Sequence, residues 1–82
     1  MVALLIVPRE IRVVADEHGS PVFVWIKGNR RRVTHVRDIW RIDDEWWRQE
    51  ISRRYFELEM SNASVITVFQ DLLSGNWYRQ RY

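Results

Sequence analysis

The run Trp40-Arg41-Ile42-Asp43-Asp44-Glu45-Trp46-Trp47-Arg48, followed by Ser52-Arg53-Arg54-Tyr55-Phe56, is where guanidinium groups and aromatic rings are most concentrated. Arginine stacks on ring faces and pairs bidentately with carboxylate or phosphate, so this mixture suits an anchored protein contact or unstacked bases. On a helical turn Trp46 and Trp47 diverge by about 100°. One then packs inward and the other lies at the surface, where Arg48, Arg53, Arg54 and Tyr55 complete a partner-binding platform. The competing role for the second tryptophan is to plug the open end of a barrel.

A second candidate is Arg30-Arg31-Arg32 beside Gly28. Three guanidinium groups at a hairpin tip can grip phosphates without reading sequence, which makes them nucleic-acid-binding candidates, although a short basic run is also an ordinary solvated turn. The acidic residues Asp43, Asp44, Glu45 and Glu50 offer oxygens to a hard cation, yet their spacing matches no calcium loop. A capped helical turn with arginine partners accounts for them, and no metal site is expected. Catalysis finds little support. His18 and His35 fall in a turn and mid-strand, with no cysteine nucleophile or serine elbow nearby. His35 becomes a base only if Asp38 or Glu57 orients it. Gly19, Gly28 and Gly75 all sit in turn contexts, so there is no phosphate loop. The chain reads as a non-enzyme without cofactor or small-molecule substrate.

Eighty-two residues hold a single domain with one small core. Five Trp, three Tyr and three Phe make that core efficient. With no cysteine, neither disulfides nor thiolate metal sites contribute, and the cytoplasm is the expected compartment. The apolar run Val2 to Val7 is too short for a signal peptide or a membrane span and reads as an edge strand or arm over residues 1–8. Net charge is only +2, but its distribution is uneven. Residues 27–41 sum to +5 (Lys27, Arg30, Arg31, Arg32, Arg37 and Arg41 against Asp38), and residues 42–60 sum to −3. Cross-strand ion pairs come first as an explanation and a basic patch second. Of the 13 basic residues only Lys27 is lysine.

Turn signals at short intervals separate β-rich segments, which is the pattern of a meander closing into a sandwich or barrel. Strands are expected over residues 11–15, 21–26, 31–42, 52–60, 65–70 and 77–82. Gly28-Asn29 supplies the tightest hairpin signal. The step from Val33 to Val36 breaks strict alternation and predicts a β-bulge near Thr34 or His35. Asp43 reads as the N-cap of one short helical turn near residues 43–48. Alternation assigns Trp25 and Trp77 to the core, and puts Phe56, Leu58 and Met60 inward with Tyr55, Glu57 and Glu59 on a wet face. The expected architecture is all-β: a small, strongly bent antiparallel sheet or partly open barrel of five to six strands.

The pattern Val24-Trp25, Trp40-Arg41, Glu45-Trp46-Trp47-Arg48, Arg54-Tyr55-Phe56 and Asp71-Leu72-Leu73-Ser74-Gly75-Asn76-Trp77-Tyr78 resembles an uncharacterised family of small bacterial all-β domains. Members stand alone or form the C-terminal piece of ImuB-type proteins, inactive relatives of Y-family translesion polymerases. The resemblance runs from about Pro8 and implies a DNA-damage-tolerance setting, with no catalytic residues to transfer. The function expected is therefore a binding module of the protein-interaction type. Alternatives are single-stranded DNA or RNA contact through the Arg and Trp surface, and a structural domain that homodimerises through an edge strand or aromatic face.

Overall fold

The computed structural model describes residues 8–46 and 49–80, which form one antiparallel sheet curled into a half-barrel. Its strands are β1 (Arg9–Ile11), β2 (Val13–Ala15), β3 (Pro21–Ile26), β4 (Asn29–Trp46), β5 (Gln49–Met60), β6 (Val65–Asp71) and β7 (Trp77–Arg79). They lie in the order β1-β7-β6-β5-β4-β3-β2. The strand count is seven, where the sequence pattern predicted five to six. Arg12 breaks the first run, and the two halves pair with opposite edges of the sheet, β1 on β7 and β2 on β3. A single kinked segment thereby ties the curl together.

The core sits on the concave face. Val24, Phe56, Leu58, Met60, Ile66, Val68 and Trp77 are buried there, with Ile11, Val13, Ile26, Val33 and Val36 packed around them. The predicted bulge falls at Thr34, between Val33 and His35, and the Thr34 hydroxyl donates to the Glu59 carbonyl at 3.0 Å. A second bulge at Arg37 brings its guanidinium 3.8 Å from Glu57. Each extra residue bends the strand, which is how a sheet this small can curl.

Three expectations are corrected. The hairpin between β3 and β4 turns on Lys27-Gly28, one residue earlier than Gly28-Asn29, because Ile26 pairs with Asn29. Both turn residues take positive φ, 52° and 80°, as a two-residue primed turn requires. Residues 43–46 are strand and not helix: the ladder runs from Asp43 opposite Ser52 to Trp46 opposite Gln49. A one-turn helix carries the full cost of nucleation, whereas extending an existing ladder adds paired backbone groups residue by residue. Trp47 and Arg48, the remainder of that predicted turn, lie outside the described residues, as do residues 1–7 of the predicted arm. Finally, the face carrying Tyr55 is not simply wet. Tyr55 and Phe69 are 8% and 2% exposed, because aromatic neighbours cover them from the convex side.

Candidate functional site

On the convex face, strand pairing sets Trp40 beside Tyr55, Tyr55 beside Phe69 and Phe69 beside Tyr78. Ring centroids follow at 5.3, 5.0 and 5.2 Å. These spacings match the distance between neighbouring strands, so the rings stand on the sheet and use their faces on one another. Arg53 lies 4.5 Å over Phe69, and its Nη1 donates to the Tyr55 hydroxyl at 3.3 Å. The ladder is thus a second packed layer, and a base has no vacant ring face within its interior.

The predicted platform is divided by this geometry. Arg53 and Tyr55 share the convex face, whereas Arg54 pairs with Arg41 and points to the concave side near Gly19. Trp46 ends β4, and its side chain, with Trp47 and Arg48, falls outside what is described. The acidic stretch is engaged locally. Asp43 accepts from Ser52 Oγ at 2.7 Å and meets Arg41 Nε at 2.8 Å. Ser52 first, then Arg41, hold the Asp43 carboxyl below the usual aspartate range.

The Arg30 to Arg32 run is likewise split by strand alternation. Arg31 faces Val24 on the concave side, while Arg30 and Arg32 stand opposite Trp25 and Phe23 on the convex side. There Arg30 covers Phe23 at 4.6 Å and Arg12 covers Trp25 at 4.4 Å. Trp25 is only half-buried, so the core role predicted for it is partial, while Trp77 is buried as predicted. Both arginines are exposed.

Around the corner lies the mouth of the half-barrel, a cavity of roughly 460 Å³ bordered by Arg9, Ile11, Ile26, Lys27, Ile66 and Arg79. Arg9 stands directly opposite Arg79 in the β1–β7 ladder, on the same side as buried Val68. Like charges in that position repel. No carboxylate of the described residues lies within 4.0 Å of Arg9, Lys27, Arg79, Arg12, Arg30 or Arg32. Lys27 holds φ at 52°, a left-handed conformation that asparagine or glycine adopts at less cost. These cations make one basic end, from the mouth to the β2–β3–β4 face.

Sequence reasoning named Arg30 and Arg32 in this group and missed Arg9, Arg12, Lys27 and Arg79. Lys27 had a local signal, the lone lysine beside a turn glycine. Arg9 and Arg79 had none, since they meet only when the two ends of the chain pair.

Fold and surface together define a curled all-β half-barrel with a basic mouth and an acidic two-stranded extension. No protein-family model, curated protein or solved structure matches the chain. Among the described residues no helix is long and apolar enough to cross a membrane.

Proposed function

We propose that this protein is a non-enzymatic binding module that contacts single-stranded nucleic acid through its basic end. The observation that carries the reading is the like-charged pair Arg9 and Arg79 at a mouth shared with Lys27, with no carboxylate of the described residues within ion-pair distance. An anion placed between such groups turns repulsion into attraction, and a phosphate diester supplies a repeating series of them. The exposed guanidinium groups of Arg12 and Arg30 are suited to unstacked bases, which stack on guanidinium as well as on rings. A duplex offers no free base faces, so the single strand is the better fit. The sequence resemblance to domains of ImuB-type proteins supports a DNA-damage-tolerance setting for this contact.

Fluorescence anisotropy of a labelled single-stranded oligonucleotide tests the reading. Binding is expected at low salt, with affinity falling as salt rises by a log–log slope of roughly −0.7 per phosphate contact. Arg79→Glu is expected to weaken binding and flatten that slope by about one unit. Absence of binding at low salt, or an unchanged slope in Arg79→Glu, overturns it.

A protein-interaction role is the second reading, favoured by Trp40 and Ile42, which are 36% and 42% exposed on the convex face of β4. Apolar groups this close together on one strand fit an anchored contact better than a solvated surface.

A further inference from the structure

β4 has two very different edges. One pairs with β5 all the way to Trp46, while the other pairs with β3 only from Asn29 to Arg32. Beyond that point no strand of the described residues lies alongside it. Bulges at Thr34 and Arg37 interrupt the first part of this open edge, but Asp38 to Trp46 runs in unbroken register with β5.

The backbone directions along it follow from the hydrogen bonds of β5. Met60 N–H donates to Ser64 on the β6 side, whereas the Glu59 carbonyl accepts from Thr34 of β4. Odd-numbered β5 residues therefore address β4, and through the ladder the even-numbered residues Asp38 to Trp46 of β4 address β5. Ile39, Arg41, Asp43 and Glu45 turn their N–H and C=O groups to the open side. At Ile39 and Glu45 the N–H is taken by the preceding carboxylate, Asp38 at 2.9 Å and Asp44 at 2.7 Å. Between these two positions, Arg41 and Asp43 present theirs to solvent, and all the residues from Arg37 to Glu45 are exposed.

We propose that this edge pairs antiparallel with the same edge of a second copy, about a two-fold axis at Ile42. In that register Arg41 of each chain lies opposite Asp43 of the other, and the two exchange backbone hydrogen bonds. The strand is self-complementary there: opposite charges face one another twice, and no like charges meet. Moving the axis to Arg41 or Asp43 puts that residue opposite itself, and moving it to Asp44 does the same with two carboxylates. Charges on an edge ordinarily keep other strands away. Here their order, basic then acidic across a central isoleucine, excludes most strands and admits its own copy. The pairing also brings Ile42 against Ile42 on the convex face, with Trp40 of each chain diagonal to it, which covers exposed apolar surface.

Sedimentation velocity at micromolar to high micromolar concentration tests this with two opposed variants. The wild-type chain is expected to dimerise. Arg41→Asp makes the edge doubly acidic and Asp43→Arg makes it doubly basic, so each alone is expected to be monomeric. An equimolar mixture of the two is expected to dimerise, because the two carboxylates of one chain then face the two guanidinium groups of the other. Neither variant keeps the Arg41–Asp43 pair within its own chain, so recovery in the mixture reads only the contact between chains. Far-UV circular dichroism checks that each remains folded. Where one does not, Ile42→Lys at its exposed position replaces it and must give a monomer by setting two ammonium groups together at the axis. A monomeric wild type, dimers in either folded charge variant or in Ile42→Lys, or a mixture of folded variants that stays monomeric each overturns the proposal.

Discussion

The β4–β5 hairpin passes through two regions that obey different rules. In the half-barrel, β5 from Arg53 to Glu59 is flanked by β4 on one side and β6 on the other, with side-chain layers on both faces. In the ribbon beyond, residues 43–46 and 49–52 have, among the described residues, only each other as strand partners. Phe56 is 1% exposed in the first region, and Ile42 is 42% exposed at the boundary of the second. One continuous strand pair therefore provides the stability at one end and a surface available for contact at the other. The ribbon extends from a half-barrel whose concave face holds the buried core.

The sharpest way to break this comparison is to empty the core beneath the ribbon. Phe56→Ala removes a fully buried ring that packs 5.5 Å from Trp77, and about 3 to 5 kcal/mol of stability should be lost in a urea unfolding experiment. For a domain of this size that is a large share of the total. Next comes Trp40→Ala on the convex ladder, where the ring stacks on Tyr55 at an interplanar angle of 7°. A loss of about 1 to 2 kcal/mol is expected by the same measurement, since the side chain is partly exposed and its stacking adds a modest increment. Equal losses for the two would mean that the convex ladder is as much a core as the concave one.

The ranking of these residues was legible only in part from the sequence. Alternation placed Phe56, Leu58 and Met60 inward and Tyr55 on the opposite side, and the break at Val33 to Val36 located the Thr34 bulge. Period-2 patterns assign residues to a face but do not say whether that face is covered. Tyr55 is buried because Trp40 and Phe69 come from other strands, a fact of register between segments far apart in the chain. The helical reading failed at residues 43–46 for a related reason. A local pattern of acids followed by tryptophans looks like a capped turn, and nothing local announces that Gln49 to Ser52 will pair with it. The basic end was least legible, because Arg9 and Arg79 become neighbours only through pairing of the chain's two ends.

A smaller effect, with the opposite sign, is expected at the basic end. Lys27 occupies the first position of a primed turn at φ 52°, where a side chain longer than asparagine is disfavoured. Lys27→Asn is therefore expected to raise stability, by about 0.5 to 1 kcal/mol in urea, while weakening oligonucleotide binding in the anisotropy assay. A variant that gains stability and binds as tightly as wild type would separate the turn from the proposed interface. The strain would then need another explanation.

The smallest expected effect belongs to the ribbon and is read by pH. Asp43 takes hydrogen bonds from Ser52 and Arg41, and its carboxyl is held below the ordinary value of 3.8. The folded state therefore binds this proton less readily than the unfolded chain does. Its stabilising contribution is complete above the unfolded value, and it is lost as pH falls below 3.8 through the lower folded value. Asp43→Asn keeps the shape of the side chain and removes the titration, so its stability should fall less steeply than wild type across that acid range in pH-dependent urea unfolding. The group is exposed, and solvent screening keeps the difference small. Parallel acid profiles for the two proteins would show that the Arg41–Asp43–Ser52 contacts add nothing to the folded ribbon. Coupled to the core prediction, that outcome would leave the ribbon held in place by its backbone ladder and by the half-barrel from which it extends.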